Sequence, residues 1–294
     1  MAEPVRKTRT VRWEPPPAPE LPDEDEGPGI LLMRWVERPD GELEQVSMPL
    51  TPELFLNAEL GDHMGQGSRH SGTARKIADR LDHHFRSEPD VLVTFDLVHD
   101  LGSGLPHPSP DVSVIRNLSD RDMDRGSFDL EAEGNRPCLI VEVVSPLSSR
   151  IRRTDLVSKV EIYALAGIQE YLIVDSTRRD RRFSLLGYRL DRSGRRYESI
   201  EPDNQGRILS ETTGLWFKIS PDGEQVLLFK YPTGEPLLTR EDEEKLRQAA
   251  EERVRIEVEA RHVAEEKART EAEARRALED EVARLRAEIE RFRS

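Results

Sequence analysis

The stretch CLIVEVVSP, residues 138–146, sets a single carboxylate, Glu142, inside an apolar run of strand length. Val and Ile favour strands, and the Ser145-Pro146 pair that ends the run favours a turn. Burying a carboxylate among apolar neighbours is costly unless a partner compensates its charge. The stretch therefore predicts a central strand whose glutamate is either functional or paired.

Side chains alternate along a strand, so this one has two different faces. Ile140 and Val144 share the face of Glu142, whereas the odd-numbered residues from 139 to 143 point the other way. One face of the strand therefore carries Glu142 between apolar residues, and the other face is entirely apolar.

A second candidate strand, PDVSVI at 110–115, opens with Asp111 at its mouth. If this strand is a neighbour of the first, Asp111 and Glu142 converge on one point. Two nearby carboxylates repel each other and raise each other's pKa unless a cation lies between them. A hard divalent ion such as Mg²⁺, with Mn²⁺ as an alternative, would satisfy both, and phosphodiester hydrolysis uses such a centre.

Each carboxylate also has a structural interpretation. Asp111 follows a proline and could serve only to initiate a turn, which is a common role of aspartate. Glu142 could pair with a buried arginine instead of a metal ion. The residues alone leave these alternatives open.

The surrounding segments alternate between strand and helix patterns. DVLVTFDLV (90–98) and EYLIVD (170–175) predict further strands, and 183–200 predicts a hairpin around DRSG. Two helical pieces are expected within 51–85, and another helix at about 153–166. Strands mixed with helices indicate an α/β or α+β sheet domain.

Composition divides the 294 residues into three parts. Residues 1–28 are rich in proline and acid, which predicts a disordered tail. Residues 29–237 have a globular pattern, and 238–294 lack Gly and Pro and are highly charged, which predicts one long helix. The formal net charge of −14 argues against a sequence-blind nucleic-acid coat.

The C-terminal helix ends in an apolar seam at Leu278, Val282, Leu285, Ile289 and Phe292. Their spacing of four, three, four and three is that of a coiled coil, over about two heptads. Self-association through this end and a merely solvated helix are both compatible with the pattern. We expect a homo-oligomer, through this helix or through the globular domain.

The cellular setting is predicted from what the sequence contains. Cys138 is the single cysteine, which excludes a disulfide framework and a cysteine-based zinc site and fits a reducing compartment. MAEPVRKTRT at the start lacks the apolar core of a signal peptide, and no apolar run approaches the ~20 residues that span a bilayer. We expect a soluble, cytoplasmic protein without a membrane partner.

Three motifs together, PDVSVI, CLIVEVVSP and RTDLVSKVEIYALAGIQEYLIVD, resemble the putative restriction endonuclease family of the PD-(D/E)XK nuclease superfamily. The resemblance covers roughly residues 45–235. It implies a restriction-endonuclease-like mixed central sheet flanked by helices, here with a long C-terminal helix or coiled coil. It also implies a metal-dependent endonuclease that hydrolyses phosphodiester bonds in DNA.

The resemblance implies roles for individual residues. Asp111 stands at the aspartate of PD and Glu142 at the acidic position of the (D/E)XK element, so both would hold Mg²⁺ with the backbone carbonyl of Val143. Val144 stands where the superfamily has its lysine. Lys159, on the following helix, takes the lysine's place and would assist the attacking water, which makes Asp111, Glu142 and Lys159 the candidate catalytic residues.

Three further residues are weaker candidates. His70, in GSRHSG, could reach the site or could have a surface or capping role, and Asp96 could support the site from outside. Asp155 stands four residues before Lys159, which on an exposed helix would be an ordinary weak ion pair.

The sequence leaves three functions open. The first is the DNA endonuclease. The eight arginines against two aspartates between Arg178 and Arg196 are compatible with a phosphate-binding patch for it and equally with a solvated, arginine-rich hairpin. The second is a catalytically degenerate module that acts in protein interaction or oligomerisation through the coiled coil, which Val144 favours. The third is a nucleic-acid-binding regulator without cleavage.

Overall fold

The structure is a computed structural model that describes residues 29–65, 67–102, 104–119, 125–176 and 181–293. The predicted disordered tail at 1–28 and the side chain of Phe292 lie outside the described residues. The chain divides between Thr239 and Arg240 into two compact units, which are described separately.

The first unit combines fourteen described strands with four short or medium helices. The strands are β1 (Leu31–Glu37), β2 (Leu43–Pro49), β3 (His63–Met64), β4 (Leu92–Phe95), β5 (Val98–Asp100), β6 (Val112–Ile115), β7 (Ser127–Asp129), β8 (Pro137–Val143), β9 (Glu170–Asp175), β10 (Ser184–Leu190), β11 (Tyr197–Ser199), β12 (Arg207–Ser210), β13 (Leu215–Ile219) and β14 (Val226–Lys230). The helices are α1 (Pro52–Leu56), α2 (Ser68–Phe85), α3 (Ser149–Arg153) and α4 (Lys159–Leu165), with a π-helical turn, Thr154–Ser158, between α3 and α4.

A six-stranded mixed sheet is the centre of this unit, in the order β11-β10-β9-β8-β6-β4. β8 and β9 pair in parallel, and every other pairing in the sheet is antiparallel. A parallel pair needs a long crossover connection, and α3, the π-helical turn and α4 provide it. The predicted mixed sheet with flanking helices is confirmed.

The strand β8 is buried along its whole length and has two apolar faces, as its alternation predicts. The odd-numbered residues 139, 141 and 143 pack into a core with Ile77 and Leu81 of α2. Ile140 and Val144 pack into a second core with Ile162 of α4. Glu142 faces this second core, so its carboxylate points toward the crossover helix.

The crossover helix ends where the sequence indicates. Gly167 adopts φ +76°, its N–H donates to Ala164, and the N–H of Ile168 donates to the carbonyl of Tyr163. This pattern is a Schellman motif, which favours glycine because L side chains rarely adopt that φ. The cap fixes the last turn of α4, which carries Tyr163.

The hairpin of β1 and β2 is an element that the sequence reasoning did not anticipate. Leu31, Met33 and Trp35 are exposed, while Leu32 between them is fully buried. Because only one side of the hairpin is covered and its outer side also carries large apolar residues, period-two polarity is weak in this segment. The predicted hairpin around DRSG is confirmed as β10 and β11.

The second unit is a single helix, α5 (Arg240–Arg293), as predicted. Its described side chains are exposed or, at one position, half-buried, and ion pairs at i, i+4 such as Lys245 with Glu241 run along its surface. Among the helices in the described ranges, none is both long and apolar enough to cross a membrane.

Candidate active site

Asp111 and Glu142 meet at the junction of two neighbouring strands. The antiparallel register of β6 and β8 pairs Val112 with Val141, which sets Asp111 beside Glu142. The N–H of Asp111 lies 3.4 Å from Oε2 of Glu142, and the N–H of Val143 donates to Oδ2 of Asp111 at 2.7 Å. The two carboxylates therefore converge, although they are 31 residues apart in the chain.

Glu142 is bound by two side chains of α4. Nζ of Lys159 and the hydroxyl of Tyr163 each donate a 2.8 Å hydrogen bond to its Oε1. The buried partner of this glutamate is therefore a lysine, not an arginine. Both donors converge on one oxygen, which leaves Oε2 with the longer contact from Asp111.

Lys159 also pairs with Asp155 inside the protein. Nζ lies 2.8 Å from Oδ1 of Asp155, as an ion pair without hydrogen-bond geometry. Both side chains are buried, so the interpretation as an exposed helix pair is wrong. Nζ also lies 4.0 Å from the ring centre of Phe55, a cation–π contact that helps to hold a charge without water.

His70 belongs to this cluster. It lies in the first turn of α2, is 7% exposed, and sets Nε2 3.2 Å from Oδ2 of Asp111. Its Nδ1 is buried and has no hydrogen-bond partner among the described residues. The cap of α2 is Gly67, so a surface or capping role for His70 is wrong.

Two further positions singled out by the sequence are Asp96 and Val144. Asp96 accepts a 3.1 Å hydrogen bond from Ser109, which lines the cavity of Asp111 and Glu142, and its N–H donates to the carbonyl of Asp111 at 3.2 Å. Asp96 therefore borders the cluster and lines a neighbouring pocket, but it does not line that cavity. Val144 is 1% exposed and packs in the core. At the position where the superfamily has its lysine, this chain therefore has a core residue.

The cluster contains more acid than base. Three buried carboxylates, Asp111, Glu142 and Asp155, face two bases, His70 and Lys159. With every group ionised, one negative charge is in excess in a region from which water is largely excluded. Such a charge is costly, so the excess favours either a bound proton or a cation.

The pKa values follow from this excess. Burial raises the pKa of Glu142 to about 8, with Asp111 and Asp155 adding to the effect and Lys159 opposing it. Burial likewise raises the pKa of Asp155, against the charge of Lys159. Burial opposes the charge on Lys159, but the two carboxylates outweigh it and raise its pKa.

Asp111 and His70 form an ion pair in which each group stabilises the charge of the other. Burial alone would raise the pKa of Asp111, but the charge and hydrogen bond of His70 and the N–H of Val143 lower it below its ordinary value. Burial alone would lower the pKa of His70, but Asp111 outweighs it and raises that pKa. Asp111 is therefore the carboxylate that stays ionised.

A small cavity adjoins the cluster, with room for about one water molecule. Asp111, Glu142, Asp155 and His70 line it together with apolar side chains that include Phe55. Lys159 is not among the described residues that line it. The three carboxylates therefore face the cavity, whereas Lys159 contacts Glu142 and Asp155 without lining the cavity itself.

The donor set can be tested against a divalent metal. In the described part of the chain, no three His, Cys, Asp or Glu side chains are arranged as a metal-binding group. Two carboxylates with an excess of negative charge nevertheless suit Mg²⁺, which commonly takes one or two carboxylates and completes its shell with water and phosphate. The chemistry of the residues therefore fits a hard cation.

Tyr163 is the residue of the cluster that sequence reasoning missed. It stands four residues after Lys159, so both side chains lie on one face of α4. That spacing is a signal in the sequence, but it becomes informative only when the glutamate on that face is known.

Two carboxylates brought together on adjacent strands of a mixed sheet, with a lysine supplied by the crossover helix, define a restriction-endonuclease-like protein. The chain belongs to the Uma2 family, described as "Putative restriction endonuclease", whose family model matches residues 36–222. Membership in this family indicates a nuclease-type function.

Comparisons with individual proteins add little to the family match. No curated protein matches this sequence. One similar solved structure is the crystal structure of a putative nuclease belonging to DUF820 from Anabaena variabilis ATCC 29413. It is 18% identical, with a TM-score of 0.35, over 65% of this chain and 86% of that chain.

Proposed function

We propose that this protein is a Mg²⁺-dependent endonuclease that hydrolyses phosphodiester bonds in DNA. The observation that carries the proposal is the convergence of Asp111 and Glu142 beside a small cavity, in a buried cluster that has one negative charge in excess when all its groups are ionised. A purely structural ion-pair cluster would gain from balanced charge, whereas a metal site gains from the excess.

Asp111 and Glu142 would hold the metal ion with the backbone carbonyl of Val143. The N–H of Val143 donates toward Asp111, and the N–H and C=O of one strand residue lie on the same side of the strand. Its carbonyl is therefore expected on the side of the two carboxylates. Mn²⁺ would be accepted by the same oxygen ligands.

A bound Mg²⁺ would supply positive charge at the scissile phosphate and help to activate the attacking water. The residues of the chain would set up that chemistry. His70 holds Asp111, and Lys159 and Tyr163 hold Glu142, so both carboxylates keep one orientation. In the reaction, the oxygen of a water molecule bonds to phosphorus and that water gives up a proton, one ester P–O bond breaks, and the leaving oxygen takes up a proton.

Lys159 would contribute its positive charge near the attacking water and the developing charge on the phosphate. Its Nζ is 2.8 Å from Glu142, so this charge is held beside the proposed metal ligand. A role in orienting Glu142 follows from the same contact.

The test is cleavage of supercoiled plasmid in Mg²⁺, Mn²⁺ or EDTA. Wild type is compared with Asp111→Asn and Glu142→Gln, which keep side-chain shape and remove one charge. Asp79→Asn is the matched control, because Asp79 is exposed on α2 and does not line the cavity. We expect metal-dependent nicking by wild type and Asp79→Asn, and a loss of about 100-fold or more in the two site variants.

The proposal fails if folded wild type is inert in both metals, or if Glu142→Gln nicks as fast as wild type. DNA binding that persists in EDTA without any cleavage would instead support a nucleic-acid-binding regulator. Circular dichroism of each variant separates loss of the site from loss of the fold.

A catalytically degenerate module is the second candidate function. Val144 at the usual lysine position and the absence of Lys159 from the described cavity lining favour it. In that case, the protein would act through the seam of α5. The four seam residues whose side chains are described are strongly exposed in the single chain, from 47% for Val282 to 66% for Leu278.

The seam fits a second copy of the same helix in parallel orientation. Val282 and Ile289 take the a positions, and Leu278 and Leu285 the d positions, a combination that favours parallel dimers. Glu281 then takes position g and Arg286 position e. In a parallel dimer, position g of one helix faces position e of the partner helix. Glu281 of each helix would therefore pair with Arg286 of the other, which gives two ion pairs by symmetry.

A further inference from the structure

A groove of about 390 Å³ adjoins the candidate active site. Its walls are the start of α2 from Gly67 to His70, the segment from Val143 to Leu147 at the end of β8, and residues Ser176, Arg181 and Phe183. His70 and Ser145 line both the groove and the small cavity. A molecule bound in the groove would therefore lie next to Asp111 and Glu142.

Two arginines of the groove have no acidic partner in the described ranges. The guanidinium of Arg69 lies 4.3 Å from the ring centre of Phe183 and donates to the backbone carbonyl of Arg181. These contacts hold the Arg69 side chain without neutralising it. By contrast, Arg152 forms two hydrogen bonds with Asp175 and Arg189 pairs with Glu170.

The start of α2 adds to the positive character of the groove. This helix has 18 residues, begins after Gly67 without a side-chain cap, and has no acidic residue in its first turn. Free N–H groups and the helix dipole make such an end attractive to anions. His70 in the same turn is 7% exposed, lines the groove, and has an Nδ1 without a hydrogen-bond partner among the described residues.

We infer that this groove binds the sugar–phosphate backbone of DNA next to the bond that is cleaved, with Arg69 and Arg181 contacting phosphates. Its volume lies in the range of pockets that hold small ligands, so it accommodates about one nucleotide unit. The inference names the substrate path and rests on the proposed function. Binding itself requires neither the metal ion nor cleavage, so it can be tested alone.

The test is fluorescence anisotropy of a labelled DNA duplex in EDTA, over a series of salt concentrations. Wild type is compared with the double variant Arg69→Gln/Arg181→Gln. The control is Lys76→Gln/Arg86→Gln, which removes the same charge from two exposed positions at α2, outside both the groove and the arginine-rich segment 178–196. Melting temperatures establish that all the proteins are folded.

We expect the groove variant to bind DNA at least about 10-fold more weakly than wild type. The number of counterions released on binding, given by the slope of log K against log salt concentration, should fall by nearly two. The control should change affinity by less than about 2-fold. The inference is overturned if wild type does not bind DNA, if the groove variant binds as wild type does, or if both double variants lose affinity equally.

Failure of the groove and failure of the proposed function give different results. Groove-dependent binding by a wild type that cleaves nothing supports the groove and overturns the endonuclease. If wild type cleaves in a metal-dependent way, and Arg69→Gln/Arg181→Gln binds and cleaves DNA as wild type does, the endonuclease is supported and the groove is overturned.

Discussion

Nζ of Lys159 lies 2.8 Å from Oε1 of Glu142, and this contact joins the crossover helix to the central strand inside the protein. The same nitrogen lies 2.8 Å from Asp155, so one buried cation serves two buried carboxylates. Removing one member of a buried charge cluster leaves the others uncompensated, which costs more than the loss of an exposed pair.

Lys159→Met should therefore destabilise the protein by about 3–5 kcal/mol at pH 8 and abolish cleavage. The measurement is urea unfolding followed by circular dichroism. Adding Asp155→Asn to this variant removes one carboxylate that has lost its cation, and it should recover part of the lost stability. Lys76→Met, at an exposed position of α2, is the control and should cost less than about 1 kcal/mol. Equal stability of Lys159→Met and wild type would refute a charged Lys159 in this cluster.

Tyr163→Phe removes only the hydroxyl that donates to Glu142. It should cost about 1–3 kcal/mol of stability and weaken Mg²⁺ binding, because Glu142 loses one of the groups that orient it. Tyr197→Phe is the matched control, since its hydroxyl donates to the carbonyl of Ile168 away from the site. The control should lose stability but keep metal affinity, as measured by titration calorimetry. An equal effect of both variants on metal affinity would exclude a positioning role for Tyr163.

Metal binding should release protons, because burial raises the pKa of Glu142 to about 8. At pH 7 a bound metal ion must displace that proton, so about one proton is released for each ion, and fewer are released at pH 9. Affinity should therefore rise with pH up to about 8. Calorimetry in buffers of different ionisation enthalpy measures the release. Glu142→Gln should bind metal weakly without this pH dependence, and proton-free binding by wild type at pH 7 would contradict the prediction.

His99 should make the protein less stable at acidic pH. Burial lowers its pKa from 6.5 to about 4, while Nδ1 contacts the carbonyl of Leu97 and Nε2 contacts the hydroxyl of Ser113. The unfolded state binds the proton more tightly, so stability falls as pH drops from 6.5 toward 4, by roughly 3 kcal/mol in total.

The His99 contribution can be separated from that of Glu142, which has the opposite sign. The raised pKa of Glu142 means that its contribution is lost as pH rises toward 8. Urea unfolding of wild type and His99→Gln between pH 4.5 and 7 isolates the histidine. Between pH 4.5 and 7, the free energy of unfolding should rise less with pH in His99→Gln than in wild type, whatever the absolute stability of the variant. Parallel plots of unfolding free energy against pH for the two proteins would contradict a lowered pKa of His99.

Leu285→Asp should abolish self-association if the seam of α5 pairs two chains. Sedimentation at several concentrations measures the oligomeric state, and the short seam predicts weak, concentration-dependent pairing. Val263→Asp is the control, because Val263 is an apolar residue of α5 outside the seam and is at least as exposed as Leu285. A wild type that stays monomeric at high concentration, or a dimer that survives Leu285→Asp, would exclude this interface.

Local patterns predicted most of the fold. β-Branched runs and period-two alternation located β6, β8 and β9, because these features depend on neighbours within one strand. The hairpin of β1 and β2 was not predicted. Its exposed face carries Leu31 and Trp35, so polar and apolar residues do not clearly alternate along it. The π-helical turn that carries Asp155 was also missed, since its residues read as ordinary helix.

The sequence by itself determined that a carboxylate, Glu142, would lie in a buried strand and need a partner, because an apolar run on both sides leaves it no route to water. It could not determine the partner. The register of β6 against β8 set Asp111 beside Glu142, and the packing of the crossover helix supplied Lys159 and Tyr163. His70 reached Asp111 from α2. Contacts between distant segments depend on how sheets and helices pack, so only the tertiary structure decided which charges share the site.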